Sequence, residues 1–268
     1  MILNPINIKD SDFFDYTIIG GGIVGISLAL SLGESKKKVL LIESGNLDNT
    51  NQDRGPYDGK IYGDNYYPLD LCRQRTFGGG YNCWSGRLRT FDNWDFNNNY
   101  SNWPINYNEF DKYKQKALDF FVSNKDYSNI KDDLEPEFEN NNNFKFHYYT
   151  HSDTYWDDHY KTISESKNIF LILNHSLAGI RTDGKKINNI EISSSQLNKI
   201  KIKSKKYILA CGGIENSRIL LYNNFLNNKT LVRNEKLIGK YWMEHPECYS
   251  GQIILFNGIS KYQKYVDT

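Results

Sequence analysis

An α/β chain is predicted by three features of the sequence. Residues 15–45 read as strand, glycine turn, helix and strand. Residues 168–223 hold a second patterned region, with an apolar run, a turn, alternating apolar residues, a strand-like run and another glycine turn that opens a helix. Between the two lies a long aromatic and polar section with sparse periodicity, which keeps the regular elements in two separated blocks.

The chain has 268 residues, enough for one large domain or two modest ones, and 39% apolar against 24% charged residues permit a packed core. A formal net charge of +1 gives no support for a nucleic-acid binder, whose mark is a concentrated basic surface. The basic run "NKIKIKSKK" (198–206) alternates lysine with isoleucine, as a strand with one solvated face does. Cys72, Cys83, Cys211 and Cys248 are widely spaced, without a CxxC pair, so neither a zinc ribbon nor a disulfide framework is suggested and reduced thiols are expected. The N-terminus lacks a basic region followed by an apolar run, and no apolar stretch approaches the ~20 residues of a membrane span. The expectation is a cytoplasmic protein with no membrane and no nucleic-acid partner.

The first block is "DYTIIGGGIVGISLALSLGESKKKVLLIESG". Residues 16–19 are β-rich, residues 23–32 suit a helix buried against a sheet, Gly33 is placed to stop that helix, and residues 39–42 form a second strand ending at Glu43. Gly20, Gly22 and Gly25 stand in G-x-G-x-x-G spacing. At that spacing the first glycine allows a tight turn, the second lets backbone approach a pyrophosphate, and the third lets helix pack on strand. Free N–H groups at the helix start then face the phosphates. Glu43, 23 residues after Gly20, can accept hydrogen bonds from an adenosine ribose, and its charge disfavours a 2′-phosphate. The complete unit predicts a bound dinucleotide other than NADP.

The second block narrows the choice. "NIFLILNHSLAGIRTDGKKINNIEI" turns at Asp183-Gly184, and "YILACGGIENSRILLYN" runs from strand (207–210) through Gly212-Gly213 into a helix from Ile214. A meander inserted before a glycine turn is foreign to a plain NAD dehydrogenase. The chain resembles the N-terminal half of a glucose–methanol–choline oxidoreductase, an FAD-dependent family. Five blocks in the family's order carry the resemblance. They are "IIGGGIVGISLAL" with "LLIESG", then "RTFGGGYNCWSGRLRTFDNWDF", "WPINYNEFDKYKQKA", "YILACGGIENSRILL" and "LIGKYWMEHP", within residues 15–256.

That resemblance implies a Rossmann-like FAD-binding domain with an interleaved, incomplete α+β substrate domain. The FAD-binding parts are expected at residues 1–120 and 166–240, a substrate or connecting segment at 121–165, and the start of a substrate-domain sheet at 241–268. Implied cofactor-binding residues are Gly20, Gly22, Gly25, Glu43, Ser44, Arg75, Gly78, Gly79, Asn82, Cys83, Leu177 and Gly212. Asn82 is expected beside the flavin and Trp84 as a wall of the cavity. A histidine at the position of Cys83 carries a covalent flavin bond in some relatives; here non-covalent FAD is expected, with Cys83 a small side chain against the ring. A helix is expected from about Asn108, with Asn108 as its cap. His147 and His151, with His159, Asp153, Asp157 and Asp158, have metal-like spacing, but aromatic residues crowd them and no metal is expected. That block is expected to wall the substrate domain.

No catalytic residue is identified. The family's histidine base lies in a block expected beyond Thr268, and His245 in "MEHPE" is a candidate only, read first as a structural histidine. Full-length members are about twice this length, so the chain reads as a truncated, split or partial product whose partner would be its missing C-terminal half. The implied reaction is oxidation of an alcohol or sugar hydroxyl. The alternatives are an NAD-linked dehydrogenase and a non-catalytic FAD-binding fragment.

Overall fold

The strand expected at residues 16–19 starts earlier, at Phe13, because Phe14 is also buried in the sheet core. Residues 2–4, 7–9, 11–47, 54–98, 103–122, 150–152, 155–194 and 199–243 are described by the computed structural model. His147, Asp153, His245, Cys248 and all but the first residues of the sheet segment expected at 241–268 lie outside the described residues, and at His151 only the backbone is described.

In chain order the elements are β1 (Phe13–Ile19), α1 (Ile23–Glu34), β2 (Val39–Ile42), β3 (Arg87–Leu88), α2 (Asn93–Phe96), α3 (Tyr107–Asp111), α4 (Lys114–Phe121), β4 (Thr150–His151), α5 (Trp156–Glu165), β5 (Ile169–Ile172), β6 (Ser176–Thr182), β7 (Ile187–Ser193), β8 (Ile200–Leu209) and α6 (Gly213–Leu226). A six-stranded sheet runs β5-β2-β1-β8-β7-β6. The first four strands are parallel, and β8-β7-β6 is an antiparallel meander. The fold is therefore mixed α/β with a mostly parallel sheet.

β8 joins the two halves. Its start pairs antiparallel with β7 (Ile190↔Ile202), and the rest pairs parallel with β1 (Phe13↔Lys203 through Ile19↔Leu209). The alternating Lys/Ile run and the apolar run at 207–210, read separately in the sequence, are one continuous strand.

Every residue of β2 is buried, as in a parallel strand covered on both faces. Leu40 and Ile42 join Phe14, Ile19 and Ile172 in a cluster with the meander residues Ile180, Ile190, Ile192 and Ile202 and with Ile219 of α6. Val39 and Leu41, one step out of phase, turn toward the face where α1 and α5 pack. Each such fully buried aliphatic side chain contributes about 1.5–3 kcal/mol relative to exposure.

Two expected boundaries are corrected. Gly33 does not stop α1; it lies inside the helix, buried, where a Cβ would come within 2.6 Å of Ile169 Cγ1. The helix ends one residue later, at Glu34, and is closed by Lys36, which takes the left-handed conformation (φ 57°), with Lys36 N–H donating to Gly33 O and Lys37 N–H to Leu32 O. The cap of α3 is Asn106, not Asn108: its side chain accepts from Glu109 N–H while Glu109 returns a bond to Asn106 N–H.

The chain divides into two units, Met1–Cys83 with Trp156–Met243, and Trp84–Tyr155 with Glu244–Thr268. The first holds the six-stranded sheet. In the second, Phe91, Phe96, Trp103 and Phe110 form an aromatic cluster with ring centroids 5.2–6.1 Å apart, and β3 pairs antiparallel with β4. α5 belongs to the first unit.

Candidate functional site: a glycine-lined cleft at the strand ends

β1, β2 and β8 end side by side, and the chain leaves β1 through Gly20 between its neighbours. Gly20 N–H donates to Ile42 O at 2.8 Å, and Ala210 N–H donates to Ile19 O at 2.7 Å. Gly20 has φ 107°, and a Cβ there would lie 2.5 Å from Ala210 O, so the turn needs glycine for both conformation and space. A Cβ at Gly25 would sit 1.9 Å from Gly20 O, which explains the third glycine of the spacing. Gly22 differs, because its Cβ would meet nothing within 4 Å. It caps α1 without a side-chain hydrogen bond, so the first N–H groups of the helix face open space lined by Gly22, Ile23 and Val24.

Glu43 leaves the end of β2 and is 6% exposed. One carboxylate oxygen accepts from Gly21 N–H at 2.7 Å; the other accepts from Gly45 N–H at 2.7 Å and Ser44 O–H at 3.2 Å. Burial pushes this carboxyl above its ordinary value, opposed by the Gly45, Gly21 and Ser44 hydrogen bonds and the Arg75 charge. The acid thus clamps the glycine turn. Each carboxylate oxygen has about two acceptor sites, so capacity remains for a hydroxyl from a bound sugar.

The Gly78–Gly80 loop comes against this turn. Gly78 N–H donates to Gly21 O at 2.8 Å, and a Cβ at Gly79 would lie 3.3 Å from Gly22 Cα. Phe77, fully buried, anchors the loop on Trp156 and Tyr160 of α5, with ring centroids 6.1 and 5.8 Å away. Tyr81 stacks on His159 at 5.9 Å. Burial holds the His159 imidazole below its ordinary pKa, against the pull of Asp158 and Asp157, so it serves here as a neutral packing partner. Among the described residues no group of three or more ligand-type side chains gathers that could hold a metal ion.

The cavity that results measures about 470 Å³. Of the residues expected to bind a cofactor, Gly20, Gly22, Glu43, Ser44, Arg75, Gly79, Cys83, Leu177 and Gly212 line it. Gly25 and Gly78 do not; they hold the turn and the loop together. Asn82 does not either, because its amide donates to Phe77 O at 2.8 Å and so stabilises its own loop. Trp84 lies in the other unit, where its ring packs on Phe121, and it is not among the lining residues.

Part of the lining is not marked in the sequence. Arg73, Tyr57, His175, Ser176, Cys211, Glu215 and Arg218 all line the cavity. Their signal in the sequence is faint, since no motif of fixed spacing ties residues 57–73 to 215–218. Glu215 stands in the first turn of α6 and receives Arg73 at 3.3 Å and Arg218 Nε at 2.7 Å. Burial, with the nearby charges of Glu43 and Glu215, pushes the Cys211 thiol up to about 12, so it stays protonated at neutral pH. The cleft therefore presents two helix starts, α1 and α6, a glycine cradle with room for backbone approach, and a buried acid. Those are the parts that hold a diphosphate joined to a sugar.

Neither a family model nor a curated protein matches the sequence. Solved structures do. Pyridoxine 4-oxidase from Mesorbium loti matches at 16% identity with a TM-score of 0.56, over 79% of this chain and 52% of that one. A fungal aryl-alcohol oxidase matches at 13% identity and TM-score 0.50, over 79% and 47%. An FAD-dependent oxidoreductase from Chaetomium thermophilum matches at 17% identity and TM-score 0.51, over 81% and 49%. The chain spans about half the length of these proteins. No helix among the described residues is long and apolar enough to cross a membrane. The chain has, over about four-fifths of its length, the fold of two solved oxidases and of an FAD-dependent oxidoreductase, as its resemblance to the glucose–methanol–choline family implies.

Proposed function

We propose that the chain binds FAD in this cleft and supplies the cofactor-holding part of an oxidoreductase that acts on CH–OH groups. The observation that carries the reading is the pairing of an open cradle at Gly22 with the buried Glu43 carboxylate at the neighbouring strand end. In this reading the N–H groups of Ile23 and Val24 face the diphosphate. Glu43 and Ser44 take the ribose hydroxyls, and backbone at Leu177 flanks the adenine. Gly79 and Gly80 let backbone approach the remainder of the cofactor, with Cys83 beside it. FAD, when bound, supplies a two-electron acceptor for the carbinol hydride. The names of the pyridoxine and aryl-alcohol oxidases favour an alcohol donor.

The test is a titration of cofactor-free protein with FAD, FMN and NAD, followed by flavin fluorescence for the first two and by competition for the third. FAD is expected to bind and FMN, which lacks the adenosine, to bind far more weakly. Binding of NAD with no binding of FAD would replace this reading with that of a nicotinamide-linked dehydrogenase.

A further inference from the structure

Residues 54–74 form one wall of the cleft, through Pro56, Tyr57, Tyr66, Cys72, Arg73 and Gln74. The segment contains no strand and no α-helix, only a short 3₁₀ turn at Gly55–Tyr57, and most of its residues are exposed. Little apolar burial holds it, so it should open easily unless polar contacts pin it. Those contacts converge on Arg73. Its Nε donates to Leu69 O at 2.9 Å, one terminal nitrogen donates to Tyr57 O at 2.7 Å, and the other reaches Glu215 at 3.3 Å. The guanidinium also lies 4.2 Å from the centre of the Tyr57 ring. The side chains of Arg73 and Glu215 are only 18% and 13% exposed, so the pair is sheltered from solvent screening.

One arginine thus ties two distant points of the segment, Tyr57 and Leu69, to the first turn of α6. A lysine has the charge but not the planar fork needed for three directions at once. The wall also comes near the acid: Ser44 and Glu43 both act on the Tyr57 hydroxyl, and Ser44 O–H donates to Glu43.

We propose that Arg73 is the positioning residue that holds this wall against α6, and that the tie sets how long a bound dinucleotide stays in the cleft. The second half rests on the reading of the cleft as an FAD site. Retention then depends on a side chain outside the glycine motif, and an ion pair that joins the wall to a helix controls the exit.

The experiment has two arms on the full chain and on its Arg73→Ala and Arg73→Lys variants. In cofactor-free protein, amide hydrogen exchange is followed for peptides of residues 54–74 and, as an internal reference, of β1 and β2. In FAD-loaded protein, the release rate is followed by the rise of flavin fluorescence after dilution. Arg73→Ala is expected to speed exchange in 54–74 at least about ten-fold with the reference peptides unchanged. Release should quicken about ten- to a hundred-fold, the worth of a charged hydrogen bond. Arg73→Lys should fall between, and it keeps the test alive if the alanine variant does not fold. Unchanged exchange in 54–74 overturns the positioning role whether or not FAD binds. Faster exchange with unchanged release overturns the retention role. Failure of the parent chain to bind FAD overturns the cleft reading and the retention role with it, while the exchange arm still decides what Arg73 holds.

Discussion

At Gly22 an added methyl group would meet nothing within 4 Å, whereas at Gly25 it would sit 1.9 Å from a backbone oxygen. The two glycines of one motif therefore fail differently. Gly22→Ala should leave thermal unfolding of the cofactor-free protein nearly unchanged and weaken FAD binding at least about ten-fold, because the methyl occupies the approach of the diphosphate. Gly25→Ala should cost more than the about 1–3 kcal/mol of ordinary overpacking, seen as a lowered denaturation midpoint without any cofactor. Equal loss of stability in both variants would refute the distinction. Glu43 makes a second prediction at this scale. Burial raises its folded pKa above the ordinary 4.5, so the folded state holds the extra proton between the two values. Stability at this site is therefore greatest at acid pH and falls as pH rises from 4.5 through the raised folded value. Denaturation of the cofactor-free protein across that window should show this slope, and Glu43→Gln should remove it. The same variant should lose about 1.5–3 kcal/mol of FAD affinity, the worth of a hydrogen bond to a charged acceptor. Glu191 has the opposite sign. Arg181 holds its carboxyl below the ordinary range, so its contribution is present above 4.5 and is lost as pH falls through the folded value.

α6 is an element whose start the sequence shows and whose purpose it does not. Its start at the glycine turn was legible, because Gly212-Gly213 follows a strand-like run. Its polar residues, however, turn inward. Asn223 is buried, with its side-chain oxygen accepting from Ile180 N–H at 2.8 Å, and Asn227 donates to Ile180 O at 2.9 Å. β6 is the edge strand of the sheet, and the two asparagines satisfy one residue's backbone groups where a further strand would otherwise pair. The side chain of Asn223 also donates to Ile219 O at 2.9 Å, which fixes its orientation. Asn223→Ala should leave the Ile180 N–H buried and unpaired and cost about 1–3 kcal/mol. A urea midpoint that moves by less than the equivalent of about 0.5 kcal/mol, the size of an ordinary surface change, would show that water replaces the asparagine without penalty. Gly33 carries the same lesson in reverse. Glycine near the end of an apolar helical run reads as a stop, but Ile169 of β5 needs that space, so the helix runs through it.

For the whole chain the expectation is cofactor binding without alcohol turnover. Hydride leaves a carbinol carbon only as the hydroxyl proton is accepted, and a positioned base contributes typically 10²–10⁴-fold. Among the described residues His175 is the one histidine lining the cleft, and its Nδ1 is already engaged with Leu173 O at 2.8 Å, in the turn beside Glu43 where the adenosine would lie. Anaerobic mixing of FAD-loaded protein with primary alcohols and sugars should therefore leave the flavin band unbleached. Rapid bleaching that is lost in His245→Ala would show that the base is present after all. The sequence by itself determined the strand–turn–helix–strand–acid unit, the meander and the second glycine turn. Each is written in residues close along the chain, as short-range demands of backbone conformation and apolar period. Only the tertiary structure decided that β8 joins the parallel strands to the antiparallel meander, that Asn82 turns back on its own loop, and that α5 supports the glycine loop. It alone brought Arg73, Tyr57 and Glu215 into the cleft that the fingerprint lines. Those pairings join residues far apart along the chain, Arg73 and Glu215 by 142 positions, and they follow from which apolar faces the sheet can bury, a condition that no local pattern records.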